Sequence, residues 1–249
     1  MQDLLALLPE AAALAKPPVS NFRVGAIARG GSGKLYYGTN LEFAGEALSF
    51  TVHAEQSAIV NAWMGDETGV DVVATSAAPC GYCRQFLNEL VTARDLVIVM
   101  PHESRPLAEL LPSSFGPRDL GIDGGLLQPH DHGLRTAESD ELAQAALRAA
   151  NMSYAPYSKS YAGVALRAND GRVFSGPYAE NAAFNPSLSP LQAALSQLNL
   201  AGGSWKDIAE VVLAHADSLH TSATRTVLAA VAPGIRLRTV RVEGRDGQS

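Results

Sequence analysis

Two short motifs, His53-Ala54-Glu55 and Pro79-Cys80-Gly81-Tyr82-Cys83, carry residue types from which a catalytic metal centre can be made. They supply one imidazole, two thiolates and one carboxylate that is not needed as a ligand. Three protein ligands on zinc leave the fourth tetrahedral position open for water. Zinc lowers the pKa of such a water to about 7. A carboxylate two residues from the His ligand can then move protons, which is general acid–base work.

Other uses of the same residues are weaker. Redox use of the Cys-x-x-Cys pair would leave His53 and Glu55 without a role. A closed structural zinc site normally takes four protein ligands. This chain has only two cysteines, Cys80 and Cys83. The order H-x-E followed by P-C-x-x-C is the signature of zinc-dependent nucleobase deaminases. The remaining histidines, His102, His130, His132, His215 and His220, lie outside the metal spacing and receive no role.

The elements that must position these groups can be read from pattern. Residues 1–16 read as a Leu- and Ala-rich helix stopped by Pro17-Pro18. Apolar runs at 24–28 and 34–37 flank Gly30-Gly31-Ser32-Gly33 and read as a hairpin. Residues 53–63 read as a helix, 70–75 as a strand, 80–90 as a helix and 96–100 as a strand buried on both faces. This order predicts a sheet covered by helices. His53 and Glu55 then open one helix, and Cys80 and Cys83 open the next. Helix N-termini carry partial positive charge, which favours thiolates. Residues 101–137 read as irregular and 138–151 as a connecting helix.

Beyond that point the chain repeats itself. Gly25 and Gly163, Gly38 and Gly176, and Glu42 and Glu180 are each separated by 138 residues. Gln56-Ser57-Ala58-Ile59 matches Gln192-Ala193-Ala194-Leu195 at a separation of 136. A near-constant separation predicts a duplicated domain. The second copy lacks the chemistry, because Ser189 stands at the position of His53 and Leu191 at that of Glu55.

Composition narrows the function classes. The chain has 249 residues, 47% of them hydrophobic, and a net charge of −6. No basic stripe suited to phosphates interleaves with aromatics, which argues against a nucleic-acid substrate. No apolar run suggests a membrane span. The N-terminus does not read as a signal peptide, and reduced thiolates fit the cytoplasm.

The flanking segments resemble the cytidine deaminases, specifically the two-domain homodimeric type. The resemblance runs from about Pro18 to about Val240. It is carried by Ser20-Asn21-Phe22-Arg23-Val24-Gly25-Ala26, Asn40-Leu41-Glu42-Phe43, Thr51-Val52-His53-Ala54-Glu55-Gln56 and Pro79-Cys80-Gly81-Tyr82-Cys83-Arg84-Gln85. In the second half it is carried by Pro156-Tyr157-Ser158-Lys159-Ser160 and Ala179-Glu180-Asn181-Ala182-Ala183-Phe184-Asn185-Pro186.

The resemblance implies a duplicated three-layer α/β/α sandwich whose second copy lacks the metal site. The expected domains are an N-terminal helix at 1–16, a catalytic zinc domain at 17–137 and a metal-free copy at 138–249. It implies zinc on His53, Cys80 and Cys83, with Glu55 as proton shuttle. It further implies that Asn40 and Glu42 hydrogen-bond the ribose 3′-hydroxyl, that Phe22 and Phe115 pack on the pyrimidine, and that the Ala54 N–H holds the base carbonyl. Ala183 and Phe184 match the segment that reaches the other subunit's active site in the homodimer. The implied reaction is hydrolysis of cytidine or deoxycytidine to the uridine form with release of ammonia, in pyrimidine salvage. The expected partners are a small pyrimidine nucleoside and a second copy of the chain, with no nucleic acid and no membrane. Rival readings are a deaminase of another small pyrimidine, a polynucleotide deaminase, and a zinc-stapled binding module in which Glu55 is incidental.

Overall fold

The computed structural model describes residues 2–244. Met1 of the expected N-terminal helix and residues 245–249 of the expected second domain lie outside them. The chain forms two units. The first comprises Met1–Glu42, Ala47–Gln128 and Asn181–Ser187; the second comprises Phe43–Glu46, Pro129–Glu180 and Leu188–Ser249.

In the first unit, helix α1 (Gln2–Ala13) precedes the hairpin strands β1 (Gly25–Gly30) and β2 (Leu35–Thr39). Helix α2 (Ala54–Met64), strand β3 (Val70–Thr75), helix α3 (Gly81–Leu87) and strand β4 (Val97–Val99) follow. Strand β5 (Ser104–Pro106) and the short helix α4 (Leu107–Leu110) complete the unit's regular elements. The sheet order is β2-β1-β3-β4-β5. Only β3 and β4 pair in parallel.

Strand alternation separates the two helical layers. Ile27, Val72, Ala74 and Val99 pack with Leu4, Leu8 and Ala11 of α1. Burying each such leucine is worth about 1.5–3 kcal/mol, which fixes α1 on this face. Ala26 points the other way and pairs with Gly38. A methyl group at Gly38 would collide with the Ala54 carbonyl and the Ala58 N–H of α2, so the bare glycine lets α2 lie directly on the sheet.

The second unit repeats the plan with α5 (Glu141–Met152), β6 (Ala162–Ala168), β7 (Val173–Pro177), α6 (Pro190–Leu200), β8 (Ile208–His215), α7 (Thr221–Val231) and β9 (Leu237–Arg241). Its sheet order is β7-β6-β8-β9. A methyl at Gly163 would strike Ala146 and Ala150 of α5, and one at Gly176 would strike Pro190 and Ala194 of α6. Gly25 meets Leu8 and Ala12 of α1 in the same manner as Gly163 meets α5. The fold is thus a duplicated α/β/α sandwich. The segment expected to be a connecting helix, α5, is the counterpart of α1 and covers its own sheet.

Three local expectations change. Strand β5 and helix α4 lie within a stretch read as irregular. The helix carrying the cysteines stops at Leu87 rather than continuing to residue 90. The strand expected at 96–100 spans only Val97–Val99, and Val97 is half-buried. Among the described residues, no helix is long and apolar enough to cross a membrane.

Candidate metal and active site

His53 is the N-cap of α2 and Cys80 is the N-cap of α3. Each sits in extended backbone just before its helix, so its side chain projects from the helix mouth. The His53 N–H donates to the Gln56 side chain at 3.1 Å, which fixes the entry to α2. The Cys80 sulfur accepts the Cys83 N–H at 3.5 Å. Arg84 donates to the carbonyls of Pro79 at 2.8 Å and Leu110 at 3.0 Å, bracing the cysteine turn from behind.

The donor atoms converge. His53 Nδ1 lies 3.6 Å from Cys80 Sγ, and Cys80 Sγ lies 3.6 Å from Cys83 Sγ. All three donor atoms are within 4.8 Å of one another. Zinc bonds of ordinary length at tetrahedral angles separate S from S and N from S by about 3.5–3.8 Å. The set therefore fits a zinc ion, with one imidazole and two sulfurs as ligands. The Cys83 thiol and the His53 ring hold Cys80 down to about 3, making it the sulfur that carries negative charge. Its hydrogen bond to Cys80 and burial push the Cys83 thiol up. A cation among these groups takes the place of such a proton.

Glu55 occupies the first turn of α2 and is 4% exposed. Its Oε2 lies 3.1 Å from Cys83 Sγ. Burial pushes its carboxyl up, so the group is poised to hold a proton next to the metal ligands. Ala54 is the first residue of α2, and its N–H has no intrahelical acceptor. The His53 ring stacks on Tyr82 with centroids 4.9 Å apart.

The residues expected to bind sugar are already at work in the fold. Glu42 accepts the Val19 and Ser20 N–H groups, both at 2.9 Å, and the Ser20 hydroxyl. Burial pushes its carboxyl up, but these donors outweigh burial and the net shift is downward. Asn40 accepts the Val24 N–H at 2.8 Å and donates to the Phe22 carbonyl at 2.8 Å. The rings expected near a pyrimidine are exposed: Phe22 by 60%, Phe115 by 47% and Phe184 by 65%.

Ala183 and Phe184 lie in Asn181–Ser187, which belongs to the first unit. Side chains of α2 and α3 grip this segment: Gln56 donates to Pro186 O at 3.0 Å and Tyr82 to Asn185 O at 2.9 Å. Gln85 donates to Asn181 Oδ1 at 3.3 Å, and Asn181 Nδ2 donates to Gln85 O at 3.0 Å. Glu89, just past α3, accepts the Ala182 N–H at 2.8 Å. Gln56, Tyr82, Gln85 and Asn181 lie in the motif segments, though sequence gives them no role; Glu89 lies in none of those segments and has no motif that could find it.

In the second unit the corresponding positions are filled differently. Ser189 N-caps α6, and Gln192 closes a capping box with it. His220 stands at the N-cap of α7, as Cys80 does for α3. Its Nε2 lies 3.1 Å from Ser160 O, and its ring packs on Tyr178 at 4.2 Å. Both rings are buried, and burial lowers the His220 pKa. Among the described residues, the only set of at least three His, Cys, Asp or Glu side chains able to hold a metal is that of the first unit.

Two family models, each described as "Cytidine and deoxycytidylate deaminase zinc-binding region", match residues 1–100 and 107–227. The chain is 54% identical over 240 residues to a cytidine deaminase of Photobacterium profundum, covering 95% of this chain and 81% of that one. It is 50% identical over 237 residues to a cytidine deaminase of Vibrio cholerae, covering 94% and 80%. A solved cytidine deaminase of Mycobacterium tuberculosis is 30% identical, covers 46% of this chain and 96% of its own, and aligns with a TM-score of 0.42. With the ligand set in place, both family models matched and the Photobacterium and Vibrio enzymes alike over nearly its full length, the chain belongs to the cytidine deaminase family.

Proposed function

We propose that this protein hydrolyses cytidine and deoxycytidine to uridine and deoxyuridine, releasing ammonia, as a pyrimidine-salvage enzyme of the cytoplasm. The observation that carries the reading is the buried Glu55 carboxyl, 3.1 Å from Cys83 within a zinc-fitting ligand set. His53, Cys80 and Cys83 would hold the ion. Zinc, when bound, supplies a hydroxide nucleophile at neutral pH.

The remaining work falls to side chains of this chain. Glu55 takes a proton from the attacking water and delivers it to ring N3, which makes C4 more electrophilic. It then carries a proton to the amino group at C4, so that ammonia leaves as the carbonyl forms. Water adds across the N3–C4 double bond, the C4 hydroxyl proton goes to the amino group as the C4–N bond breaks, and the reaction balances without an oxidant or cosubstrate. Such proton transfer contributes about 10²–10⁴-fold in rate. The Ala54 N–H, aimed out of the α2 mouth, suits the base carbonyl. Asn40 and Glu42 suit the ribose 3′-hydroxyl, since each retains lone pairs or a proton beyond its bonds to the fold. Phe22, Phe115 and Phe184 supply exposed aromatic area for the pyrimidine. The working form is a homodimer in which the Ala183–Phe184 segment completes the other subunit's site.

The test is the ultraviolet change on mixing zinc-loaded protein with cytidine, with Glu55→Ala alongside. Conversion by the parent and not by the variant, at equal zinc content, is expected. No conversion by zinc-loaded parent would reject cytidine as substrate. Full turnover by Glu55→Ala would reject the proton shuttle.

A further inference from the structure

The Asn181–Ser187 segment is tied down more firmly than an exposed loop requires. Of the side chains that grip it, Glu89 is the least ordinary. Glu89 is fully buried, at 0% exposure, and accepts the Ala182 N–H at 2.8 Å. A carboxylate taken out of water is costly unless hydrogen bonds occupy it. Its backbone is fixed as well, because the Glu89 carbonyl accepts the Leu126 N–H at 2.8 Å. The carboxylate is therefore a stationary post beside α3.

The segment it holds carries backbone strain at its tip. Phe184 has φ +61°, a region that bulky residues avoid. Its ring is 65% exposed, so packing within the chain does not offset the strain. Local bonds impose the conformation: Phe184 N–H donates to Asn181 O at 2.8 Å, and Ala183 N–H to Asn181 Oδ1 at 3.0 Å. Ser187 N–H closes the turn on Phe184 O at 2.9 Å. Strain kept at an exposed aromatic, on a segment bolted to the metal-bearing helices, points to presentation of that ring.

We infer that Glu89 is a positioning residue for nucleoside binding. Through the Ala182 N–H it fixes the Ala183–Phe184 tip to the end of the helix whose start bears Cys80 and Cys83. Productive seating of the nucleoside in the other subunit's site depends on that tip, so Glu89 acts on the reaction without touching it. This role rests on the nucleoside-deaminase reading above.

The test compares Glu89→Ala, Glu89→Gln, Phe184→Ala and the Glu89→Ala/Phe184→Ala double variant, as full-length zinc-loaded protein. Amide hydrogen exchange across 181–187, zinc content, and KM and kcat for cytidine are measured on each. Glu89→Ala is expected to speed exchange at Ala182 and to lower kcat/KM about ten- to a hundredfold, chiefly through KM, with zinc retained. Glu89→Gln keeps an acceptor oxygen at the same reach and should recover most of both losses. In the double variant, the Glu89 change should cost little beyond Phe184→Ala.

Unchanged exchange at Ala182 would overturn the anchor. Faster exchange with unchanged kcat/KM, or losses that simply multiply in the double variant, would overturn the positioning role. Should Glu89→Ala fail to fold, Glu89→Asp draws the oxygen back by one methylene and carries the same readouts. A parent protein that releases no ammonia from cytidine would sink the functional reading and this role with it. The exchange rates would still report separately on the anchor.

Discussion

Glu42 and Glu180 perform the same hydrogen-bonding task at positions 138 residues apart. Glu42 accepts the N–H groups of Val19 and Ser20, and Glu180 accepts those of Tyr157 and Ser158 at 2.8 and 3.1 Å. Each also donates its own N–H to a backbone carbonyl 26 residues upstream, Glu42 to Lys16 and Glu180 to Tyr154. Among its described residues the second unit has no set of metal ligands, so the shared bonds serve the turn that leads into the first strand. Any sugar contact at Glu42 is added to that duty.

This separates two effects in one comparison. Glu42→Ala and Glu180→Ala should each destabilise their unit by about 1.5–3 kcal/mol, the worth of hydrogen bonds to a charged group. Only Glu42→Ala should raise KM for cytidine more than for free cytosine, because a site built for a hydroxyl rejects analogues that lack it. Denaturant midpoints and KM values for both substrates decide it. Equal effects of Glu42→Ala on nucleoside and base would remove the sugar contact and leave the turn.

Gly38 and Gly176 make a second pair. A methyl at either strikes backbone atoms of the helix packed above it. Gly38→Ala must displace the N-terminal turn of α2, which bears His53 and Glu55, whereas Gly176→Ala displaces α6, which bears neither. Each should cost about 1–3 kcal/mol in overpacking. A large fall in kcat is expected for Gly38→Ala alone, measured at temperatures where both variants remain folded.

Removing the metal should abolish turnover and leave most secondary structure. The first unit's core, around Ile27, Ile59, Phe86 and Leu87, is apolar, and of the ligands only Cys83 is buried in it. Chelation should therefore preserve the far-ultraviolet circular dichroism while lowering Tm. Free zinc at a hundred times its Kd stabilises by about 2.7 kcal/mol, equivalent to several degrees in a chain of this size. Turnover by thoroughly chelated protein would contradict the role of the ligand set.

Acid should weaken the second unit through Asp140. Hydrogen bonds from the Arg238 guanidinium, foremost, and from the Ala143 N–H hold its carboxyl well below the ordinary range. A pKa depressed on folding stabilises above the unfolded value of about 3.9, and that stabilisation is lost as pH falls through the folded value. Asp140→Asn keeps an N-cap acceptor but removes the charge. The Tm gap between parent and variant should be steady from pH 7 to pH 5 and should shrink below about pH 4. High salt should narrow it as well, because the pair is exposed.

The features legible in the sequence are those written in short spacings or in a constant long repeat. His53, Glu55, Cys80 and Cys83 announce themselves because their partners lie one helix mouth away, and the hairpin strands because Gly30 to Gly33 punctuate them. The duplication was legible because its glycines mark places where backbone meets backbone. What stayed hidden depends on distant pairing. Glu89 is one acid in a turn, and its partner lies 93 residues on. Strand β5 is three exposed residues ending in Pro106, and only pairing with β4 makes it a strand. His220 falls outside any metal spacing, and its place at the α7 mouth emerges only when the two sheets are matched strand for strand.

The membership of Asn181–Ser187 in the first unit has a consequence for biosynthesis. A ribosome that has emitted residues 1–128 has not yet made everything the metal-bearing helices clasp. Gln56, Tyr82, Gln85 and Glu89 must wait for a stretch that emerges only after β7. Conversely, Phe43–Glu46 appears early yet belongs with elements translated much later. Each half is built from stretches made at different times in translation, and no single cut in the chain separates them into two complete units.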